Sequence, residues 1–356
     1  MNSYLKIQLD SVWYAAETIH LFSEKEPEES WRNLVVQFLK EWFNKETYIE
    51  AHTSGSTGEP KSIKLSKQSM VNSAKMTCSF FDLRHNSKAL LCLPASYIAG
   101  KMMLVRALVS GFNLLTVKPS GNPFSELNTD IDFTAVTPFQ VIQSYQSFQG
   151  KVVKKMIVGG SPVSQKLQQL IKKLDSEVYE TYGMTETCSH IALRKLNGED
   201  AEDLFTILPG IEVSADERNC LVIKAAALSH IEIVTNDVVE ISGKNQFKWM
   251  GRFDHVINSG GIKLFPEQME KKLELLFERR YFISSLPDEK LSEKVVLVIE
   301  GDAFNESELA KLNQNMKLVL DSFEMPRGIH FIETFDITSS GKVNKIATIK
   351  KTVINE

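Results

Sequence analysis

Between residues 88 and 240, short apolar runs alternate with amphipathic stretches of helical length, and this alternation limits the possible folds strongly. The strand-like runs are ALLCLP, FNLLTV, DFTAVT and KKMIVGG, and the helix-like stretches are GKMMLVRALVSG, PFQVIQSYQSF and SPVSQKLQQLIKKL. Strands that alternate with helices favour a largely parallel sheet with helices packed on it. We therefore expect an α/β fold here, with Ser161 as the N-cap of the helix that carries Leu167 and Leu170.

The sequence changes character twice beyond this region. From about residue 212 to residue 250, strand-like runs are separated by polar or Gly-containing turns, which predicts a small antiparallel unit. After Asp254 the pattern is that of a compact α+β tail of about a hundred residues, enough for a domain of its own. We predict a large N-terminal domain at 1–253 with parallel-rich sheets, and a small mobile C-terminal domain at 254–356.

Composition and charge exclude several classes of function. The hydrophobic and charged fractions, 43% and 24%, are typical of a globular protein. The net charge of −4 gives no general attraction to nucleic acid or anionic membranes, so an anionic ligand must be held locally. The lack of a leader pattern and of an apolar run of about 18 residues predicts a cytoplasmic protein without a membrane span. The 4 cysteines and 7 histidines are too scattered to predict disulfides or a metal site.

A hydroxyl- and glycine-rich segment at 52–62, HTSGSTGEPKS, is the strongest local signal. Its hydroxyl groups and backbone N–H groups can surround a polyphosphate, while Lys61 supplies positive charge. Pro60 stands where a Walker A loop needs Gly, which argues against an ordinary P-loop NTPase. A flexible surface loop is the alternative, but Pro60 and Lys61 add constraints that a linker does not need. The segment predicts a phosphate clamp.

A second candidate segment, Tyr179–Thr187, combines two aromatic residues, a glycine and a carboxylate. Glu186 could hold a magnesium ion that bridges nucleotide phosphates, and a neighbouring aromatic ring could stack on the base. A helix start explains the same residues without a ligand, with Thr185 as the cap and Glu186 at the positive helix end. Both interpretations stay open from this segment alone.

Several further polar residues indicate a function only when they are considered together. Asp237 lies between two apolar runs, where it could accept both ribose hydroxyls or belong to an ordinary Asn-Asp hairpin turn. Arg252 and Asp254 lie at the predicted domain boundary, and the pair Gly260–Gly261 permits close backbone approach to a ligand. Lys342 follows a glycine near the C-terminus, where a solvated lysine is the ordinary interpretation.

Read in order, these segments resemble the signature motifs of the acyl-adenylate-forming superfamily of acyl-CoA synthetases, luciferases and peptide-synthetase adenylation domains. The resemblance covers residues 52–345. It implies a protein that activates a carboxylic acid with ATP and Mg²⁺ and transfers the acyl group to coenzyme A. The nucleotide-binding residues that it implies are Thr53, Ser54, Gly55, Ser56, Thr57, Gly58, Tyr182, Gly183, Asp237 and Arg252. The residues that it implies to be catalytic are Lys61, Thr185, Glu186 and Lys342, with Glu186 also binding magnesium.

The resemblance also implies two domain orientations. Asp254 would be the hinge about which the small domain rotates, removing Lys342 after adenylation. Gly260 and Gly261 would then lie beside the tunnel through which the pantetheine thiol enters. We prefer a CoA thiol to a carrier-protein thiol, because no carrier domain is attached.

The segment at 93–108, LPASYIAGKMMLVRAL, resembles the acyl-pocket motif of the superfamily and gives three candidates for the acid site. Tyr97 stands where many members have His, so a direct role of histidine is not carried over. Lys101 and Arg106 are five residues apart, so only one of them is expected to face the pocket squarely on a helix. A cation there favours a substrate with a second negative charge, whereas a surface arginine is the alternative.

With the SHIALR stretch and the short chain, this pattern is most similar to the o-succinylbenzoate–CoA ligases of menaquinone biosynthesis. The alternatives are adenylation of another aryl or fatty acid, transfer to a carrier-protein thiol, and a non-catalytic acyl-nucleotide-binding protein. Two departures stand out near the C-terminus, Asp336 for the usual proline and Lys345 for the usual arginine. The loop at residue 53 also comes early, so we expect a largely missing N-terminal subdomain, for which a homodimer could compensate.

Overall fold

The computed structural model describes residues 4–52, 62–148, 153–229, 231–337 and 343–354. Its strands are β1 (Lys6–Leu9), β2 (Val12–Ala15), β3 (Tyr48–His52), β4 (Ser62–Ser66), β5 (Lys88–Leu91), β6 (Asn113–Thr116), β7 (Ile131–Val136), β8 (Val153–Val158), β9 (Glu177–Gly183), β10 (His190–Lys195), β11 (Phe205–Ile207), β12 (Glu212–Ala215), β13 (Cys220–Lys224), β14 (Ile233–Ser242), β15 (Gln246–Arg252), β16 (Ile257–Ser259), β17 (Ile262–Leu264), β18 (Tyr281–Asp288), β19 (Ser292–Glu300) and β20 (Gly328–Ile332). Its α-helices are α1 (Trp31–Phe43), α2 (Lys67–Phe80), α3 (Ile98–Ser110), α4 (Pro138–Ser144), α5 (Gln165–Ile171), α6 (Pro266–Leu273), α7 (Glu306–Val319) and α8 (Lys345–Ile354).

Within these ranges, thirteen strands form one sheet in the order β12-β13-β14-β15-β11-β10-β9-β8-β7-β5-β6-β1-β2. The run from β9 to β1 is parallel, and the remaining pairs are antiparallel. The parallel run is buried on both faces, since Ala89 and Leu91 of β5 belong to one apolar core and Leu90 to another. This burial explains why the strands read as continuous apolar runs in the sequence. The α/β prediction is confirmed.

The antiparallel unit predicted at 212–250 is present as β12 to β15, but it continues the large sheet through β11. A hairpin turn at Asp237 is the wrong interpretation, because β14 runs from Ile233 to Ser242 and Asp237 pairs with Arg252 of β15. A shift of register between Val238 and Val239 marks a β-bulge just beyond Asp237. Asn236 and Asp237 therefore lie within a strand and not in a turn.

The helix after β8 begins later than the sequence predicts. Its N-cap is Ser164, whose hydroxyl accepts the Leu167 N–H, and Ser161 lies outside the helix. The backbone N–H of Val163 instead donates to the Glu180 carboxylate, which keeps the segment before Ser164 attached to β9. A tertiary contact thus displaces the predicted start by one turn.

Residues beyond 254 build a second, five-stranded sheet from β16 to β20, packed against α6, α7 and α8. Its apolar core runs from Ile257 onward, whereas the cores of the large sheet end at Phe247. β18 contains Pro287, which lies opposite Glu293 of β19, although proline is unusual in a paired strand. The separate cores support our proposal of a domain boundary at 253/254. In the described part of the chain, no helix combines the length and the apolar character that a membrane crossing needs.

Candidate functional site

The carboxylate of Asp237 is the centre of a polar cluster that three distant segments build. The Tyr182 hydroxyl at the end of β9 donates to Asp237 Oδ2 at 2.7 Å, and Trp249 Nε1 of β15 donates to Oδ1 at 3.2 Å. Arg252 is the direct cross-strand neighbour of Asp237. The structure therefore brings three of the predicted nucleotide-binding residues, Tyr182, Asp237 and Arg252, to one place.

Charges in this cluster are balanced by partners at hand. Burial, and then the charge of Asp237, raise the pKa of the Tyr182 phenol well above its ordinary value, so it stays a donor. Burial opposes ionisation of Asp254, but the hydrogen bonds to its carboxylate and the positive charge of Arg252 together lower the pKa of this carboxyl. The Arg252–Asp254 pair, at 3.2 Å, is about one-third exposed, so it adds little stability. Asp254 thus lies directly beside the proposed ribose site.

The Tyr182–Glu186 segment is a tight turn, not a helix start. Only a single 3-10 turn forms, over Thr185–Thr187, and Cys188 with φ of +63° ends it before β10. A Cβ on Gly183 would lie 2.4 Å from the Ser189 carbonyl oxygen, so glycine is required where the chain folds back. The interpretation of Thr185 as a helix cap is therefore wrong.

Glu186 is exposed at this turn, and within the described residues it makes no hydrogen bond or ion pair. The described residues contain no group of three or more metal-ligating side chains. A single free carboxylate suits magnesium, which commonly keeps several waters and is bound through one or two carboxylates and phosphate oxygens. Glu186 therefore fits a nucleotide-bound magnesium ion rather than a protein cage.

Arg106 of α3 is a buried charge without a described counter-ion. It is only 1% exposed, its Nη2 donates to Ser189 Oγ at 2.8 Å, and its Nη1 contacts Met103 Sδ at 3.5 Å. Its Nε has no partner, and no described carboxylate lies within ion-pair distance. Burial lowers the pKa of Arg106 to about 10, so the guanidinium is still charged at neutral pH. A buried positive charge of this kind calls for an anion.

The other two candidates of the acid motif have different surroundings. The Lys101 ammonium donates to the Glu50 carbonyl at 2.9 Å and lies over the Phe38 ring, and burial lowers its pKa. Tyr97 precedes α3 as its N-cap residue and is 64% exposed. Of the two cations, the structure brings Arg106, not Lys101, next to the turn that follows Glu186.

Gly260 and Gly261 form the turn between β16 and β17, with φ of +60° and +84°. Two successive positive φ values are typical of a two-residue hairpin turn that strongly favours glycine. The Gly260 N–H donates to the Leu291 carbonyl at 2.8 Å, and no hydrogen bond between described residues joins this turn to Asp237. A structural requirement therefore explains both glycines, and their place beside a pantetheine tunnel is a proposal.

Two predicted segments lie outside the described residues. They contain Thr53, Ser54, Gly55, Ser56, Thr57, Gly58, Lys61 and Lys342. Their flanks are described: β3 and β4 pair in antiparallel fashion with His52 opposite Ser62, and an isolated antiparallel bridge joins Ile337 to Val343.

Four residues around the site have no predicted role in the sequence. Ser189, His190 and Trp249 contact candidate residues, and Thr77 contacts His190. Trp249 and Thr77 lie within ordinary strand and helix patterns, so no local signal identifies them. Ser189 and His190 immediately follow the Tyr182–Glu186 motif, and two polar residues at the start of an apolar strand were an available signal.

Comparisons with known proteins agree with these features. A family profile described as "AMP-binding enzyme" matches residues 7–214. The 2-succinylbenzoate–CoA ligase of Listeria monocytogenes is 24% identical over 340 residues, which cover 87% of this chain and 71% of the relative. Long-chain-fatty-acid–CoA ligase FadD13 of Mycobacterium tuberculosis is 22% identical over 333 residues, which cover 83% and 65%.

Solved structures extend the similarity to the fold. An acyl-CoA synthetase (AMP-forming)/AMP-acid ligase II-like protein from Dyadobacter fermentans is 36% identical, with a TM-score of 0.61 and coverage of 95% of this chain and 98% of that one. ATP-bound MatB from Rhodopseudomonas palustris has a TM-score of 0.71 at 17% identity, over 86% and 68% of the two chains. E. coli MenE with a bound analogue of OSB-AMS has a TM-score of 0.66 at 21% identity, over 86% and 69%. The last two similarities concern the fold alone.

Proposed function

The chain belongs to the AMP-binding enzyme family, and on that premise we propose that it is an AMP-forming acid–CoA ligase for a dicarboxylic acid, specifically o-succinylbenzoate. The family match and the Tyr182–Asp237–Arg252 cluster support the nucleotide half of this proposal. The observation that carries the acid half is the buried Arg106 without a carboxylate partner in the described part of the chain. The 2-succinylbenzoate–CoA ligases among the relatives support the same acid.

The proposed chemistry has two half-reactions. A carboxylate is a poor acyl donor because its oxygen leaves badly, so it first attacks the α-phosphate of ATP, and pyrophosphate departs. The CoA thiol then attacks the acyl carbon of the adenylate, loses its proton and displaces AMP. Lys342 and Lys61 would stabilise the negative charge that develops in the first step. Magnesium held by Glu186 would supply further charge neutralisation at the phosphates.

The nucleotide end of the site is organised before a ligand arrives. Hydrogen bonds from Tyr182 and Trp249 hold the two carboxylate oxygens of Asp237 in a fixed plane. An ionised carboxylate has about four lone-pair positions, so two remain for the ribose hydroxyls. Arg252 lies opposite and adds a donor.

The acid end distinguishes between substrate classes. o-Succinylbenzoate has one carboxylate on its aliphatic arm, which would be activated, and one on its ring, which Arg106 would recognise. A charged hydrogen bond in a dry site is stronger than a neutral one, so the second carboxylate would contribute strongly to selection. FadD13 among the relatives favours a fatty acid as the alternative. A fatty acid, however, has no second carboxylate to neutralise Arg106.

We further propose that residues 254–356 move as a unit about Asp254 between the half-reactions, carrying Lys342 into and out of the site. Such a hinge motion would have to break contacts that now join the two parts. Gln268 of α6 donates to the carbonyls of Trp249 and Met250, and the Glu274 carboxylate accepts the backbone N–H groups of Gln165 and Lys166.

A screen of carboxylic acids tests the proposed function. Purified protein with ATP and magnesium should exchange pyrophosphate in the presence of o-succinylbenzoate without CoA, and should release net AMP and acyl-CoA once CoA is added. Comparison acids are 4-oxo-4-phenylbutanoate, which lacks the ring carboxylate, benzoate and a fatty acid. Equal exchange with the first comparison acid would remove the dicarboxylate from the proposal. Exchange that CoA never converts into acyl-CoA would favour a carrier-protein thiol.

Lys342→Ala tests the division between half-reactions. This substitution should abolish adenylation, measured by pyrophosphate exchange, but should largely spare thioester formation from supplied acyl-adenylate, because the second step needs Lys342 out of the site. Equal loss of both steps would contradict the two orientations.

A further inference from the structure

We infer that His190 is a positioning residue for acid recognition, which together with Thr77 holds Ser189, and through Ser189 the guanidinium of Arg106, in the orientation that accepts a second carboxylate. The inference rests on the proposed function and adds residues outside the motifs. It is carried by a continuous line of hydrogen bonds that crosses from α3 through β10 to α2.

The line has four contacts. Arg106 Nη2 donates to Ser189 Oγ at 2.8 Å, and Ser189 Oγ lies 3.3 Å from His190 Nδ1. On the other side of the ring, His190 Nε2 lies 3.3 Å from Thr77 Oγ1, which donates to the Ser73 carbonyl at 3.2 Å. Each polar atom in the line therefore has a neighbour on both sides.

The two ends of the line fix the direction of every bond between them. A guanidinium only donates and a carbonyl oxygen only accepts. Ser189 Oγ, which accepts from Arg106, must pass its own hydrogen to His190 Nδ1, and His190 Nε2–H must donate to Thr77. The arrangement requires the neutral imidazole with its hydrogen on Nε2. A protonated ring would place a hydrogen on Nδ1 and turn the Ser189 hydroxyl away.

Burial and charge keep the ring in this form. His190 and Thr77 are 5% and 0% exposed, and only Ser189 in the line is partly open. Burial, and then the positive charge of Arg106, hold the pKa of His190 well below its ordinary value. Among the described residues, the Cys78 thiol of α2 is a further titratable group beside Arg106, and burial raises its pKa, so it adds no charge at neutral pH.

The line determines what Arg106 can offer. Ser189 occupies one N–H of Nη2, while Nε–H is buried without a partner. Because the Ser189 hydrogen is directed to His190, its oxygen stays an acceptor for Arg106 and keeps the guanidinium plane in place. Loss of the imidazole would free the hydroxyl to rotate and loosen Arg106, while Arg106 itself would remain.

The experiment measures selectivity between two acids that differ by the ring carboxylate. The readout is the ratio of kcat/KM for o-succinylbenzoate to kcat/KM for 4-oxo-4-phenylbutanoate in His190→Leu, Thr77→Val and Thr77→Ser. We expect His190→Leu to lower this ratio about tenfold, as the loss of one well-placed polar contact does. The loss should appear in KM for the dicarboxylate, with kcat for the monocarboxylate and KM for ATP unchanged. Thr77→Val should lower the ratio in the same direction, and Thr77→Ser, which keeps the hydroxyl, should restore it.

Thr134→Val is the matched control. Thr134 is also fully buried and its hydroxyl donates to the Leu90 carbonyl at 3.2 Å, but it lies on β7 away from Arg106. Its loss should lower stability as Thr77→Val does and leave the acid ratio unchanged. The inference is overturned if the ratio is unchanged in the His190 and Thr77 variants, or falls equally in Thr134→Val.

Failure of the inference and failure of the proposed function are distinguishable. A wild-type protein that does not discriminate between the two acids overturns both. A wild-type protein that discriminates, with variants that discriminate equally well, overturns only the positioning role. Should His190→Leu fail to fold, the comparison of Thr77→Val with Thr77→Ser decides.

Discussion

The two polar clusters that flank the Tyr182–Glu186 turn handle charge in opposite ways. Around Asp237, each charge has a partner, and the Arg252–Asp254 pair stays in contact with water. Around Arg106, a full positive charge is buried against a serine, a methionine and a neutral histidine. The first cluster can be stable and organised without a ligand, whereas the second leaves a buried charge that a bound anion would neutralise under the proposed function. On that proposal, substrate selectivity lies where the fold tolerates an uncompensated charge.

Arg106→Met should have the largest effect on the difference between the two clusters, because it removes the uncompensated charge and keeps a long apolar side chain. We expect KM for o-succinylbenzoate to rise about 100-fold, as for loss of a charged hydrogen bond in a dry site. The free energy of unfolding should be unchanged or higher, because a buried charge is replaced by an apolar group. Acid titration of pyrophosphate exchange and urea unfolding check both parts. A destabilised variant with unchanged KM would mean that Arg106 is structural.

Asp237→Asn should affect only the cluster around Asp237. Loss of the charged acceptor should raise KM for ATP about 30-fold, as for one charged hydrogen bond, with the acid ratio unchanged. Steady-state kinetics with ATP and each acid varied in turn provide the measurement. A change in the ratio of kcat/KM between the two acids as large as the change in KM for ATP would mean that the two clusters are energetically coupled.

The pH dependence of stability tests the buried state of His190. Its pKa is lowered in the folded protein, so below the ordinary histidine value near 6.5 the unfolded chain binds a proton that the folded chain does not. Stability from this source is therefore fully present above about pH 6.5 and falls by up to about 1.4 kcal/mol per pH unit below it. Urea unfolding between pH 7 and pH 5 should show a steeper loss in the wild type than in His190→Gln. Equal slopes would mean that His190 is not held neutral.

Tyr182→Phe is the mildest change. It removes the 2.7 Å bond to Asp237 but keeps the ring, which packs edge-on against Phe247. We expect a loss of about 1 kcal/mol in unfolding free energy and a rise of a few fold in KM for ATP, because Trp249 still holds the carboxylate. Thermal unfolding with and without ATP checks this result. A loss as large as that of Asp237→Asn would give Tyr182 a direct role at the nucleotide.

Much of the fold was predictable because the parallel strands are buried on both faces and read as apolar runs. The strand β18 was not predictable, since Pro287 is unusual within a paired strand. Its pairing with β19 is seen only in the folded structure. For the candidate site, one short motif was enough to single out Glu186, whose role at magnesium stays a prediction. The site was not predictable where residues meet across the chain: Thr77 and His190 are 113 positions apart, and Arg106 and Ser189 are 83 apart.

The sequence by itself determined which chemical groups are available and in what order along the chain. It also determined that Lys101 and Arg106 diverge, because residues five apart lie about 140° from each other on a helix with 3.6 residues per turn. Only the tertiary structure decided that Arg106 meets Ser189 while Lys101 turns to Glu50, and that Asp237 lies within a strand. The physical reason is that helical periodicity defines faces, whereas the packing of α3 against its neighbours decides which face is directed at the site.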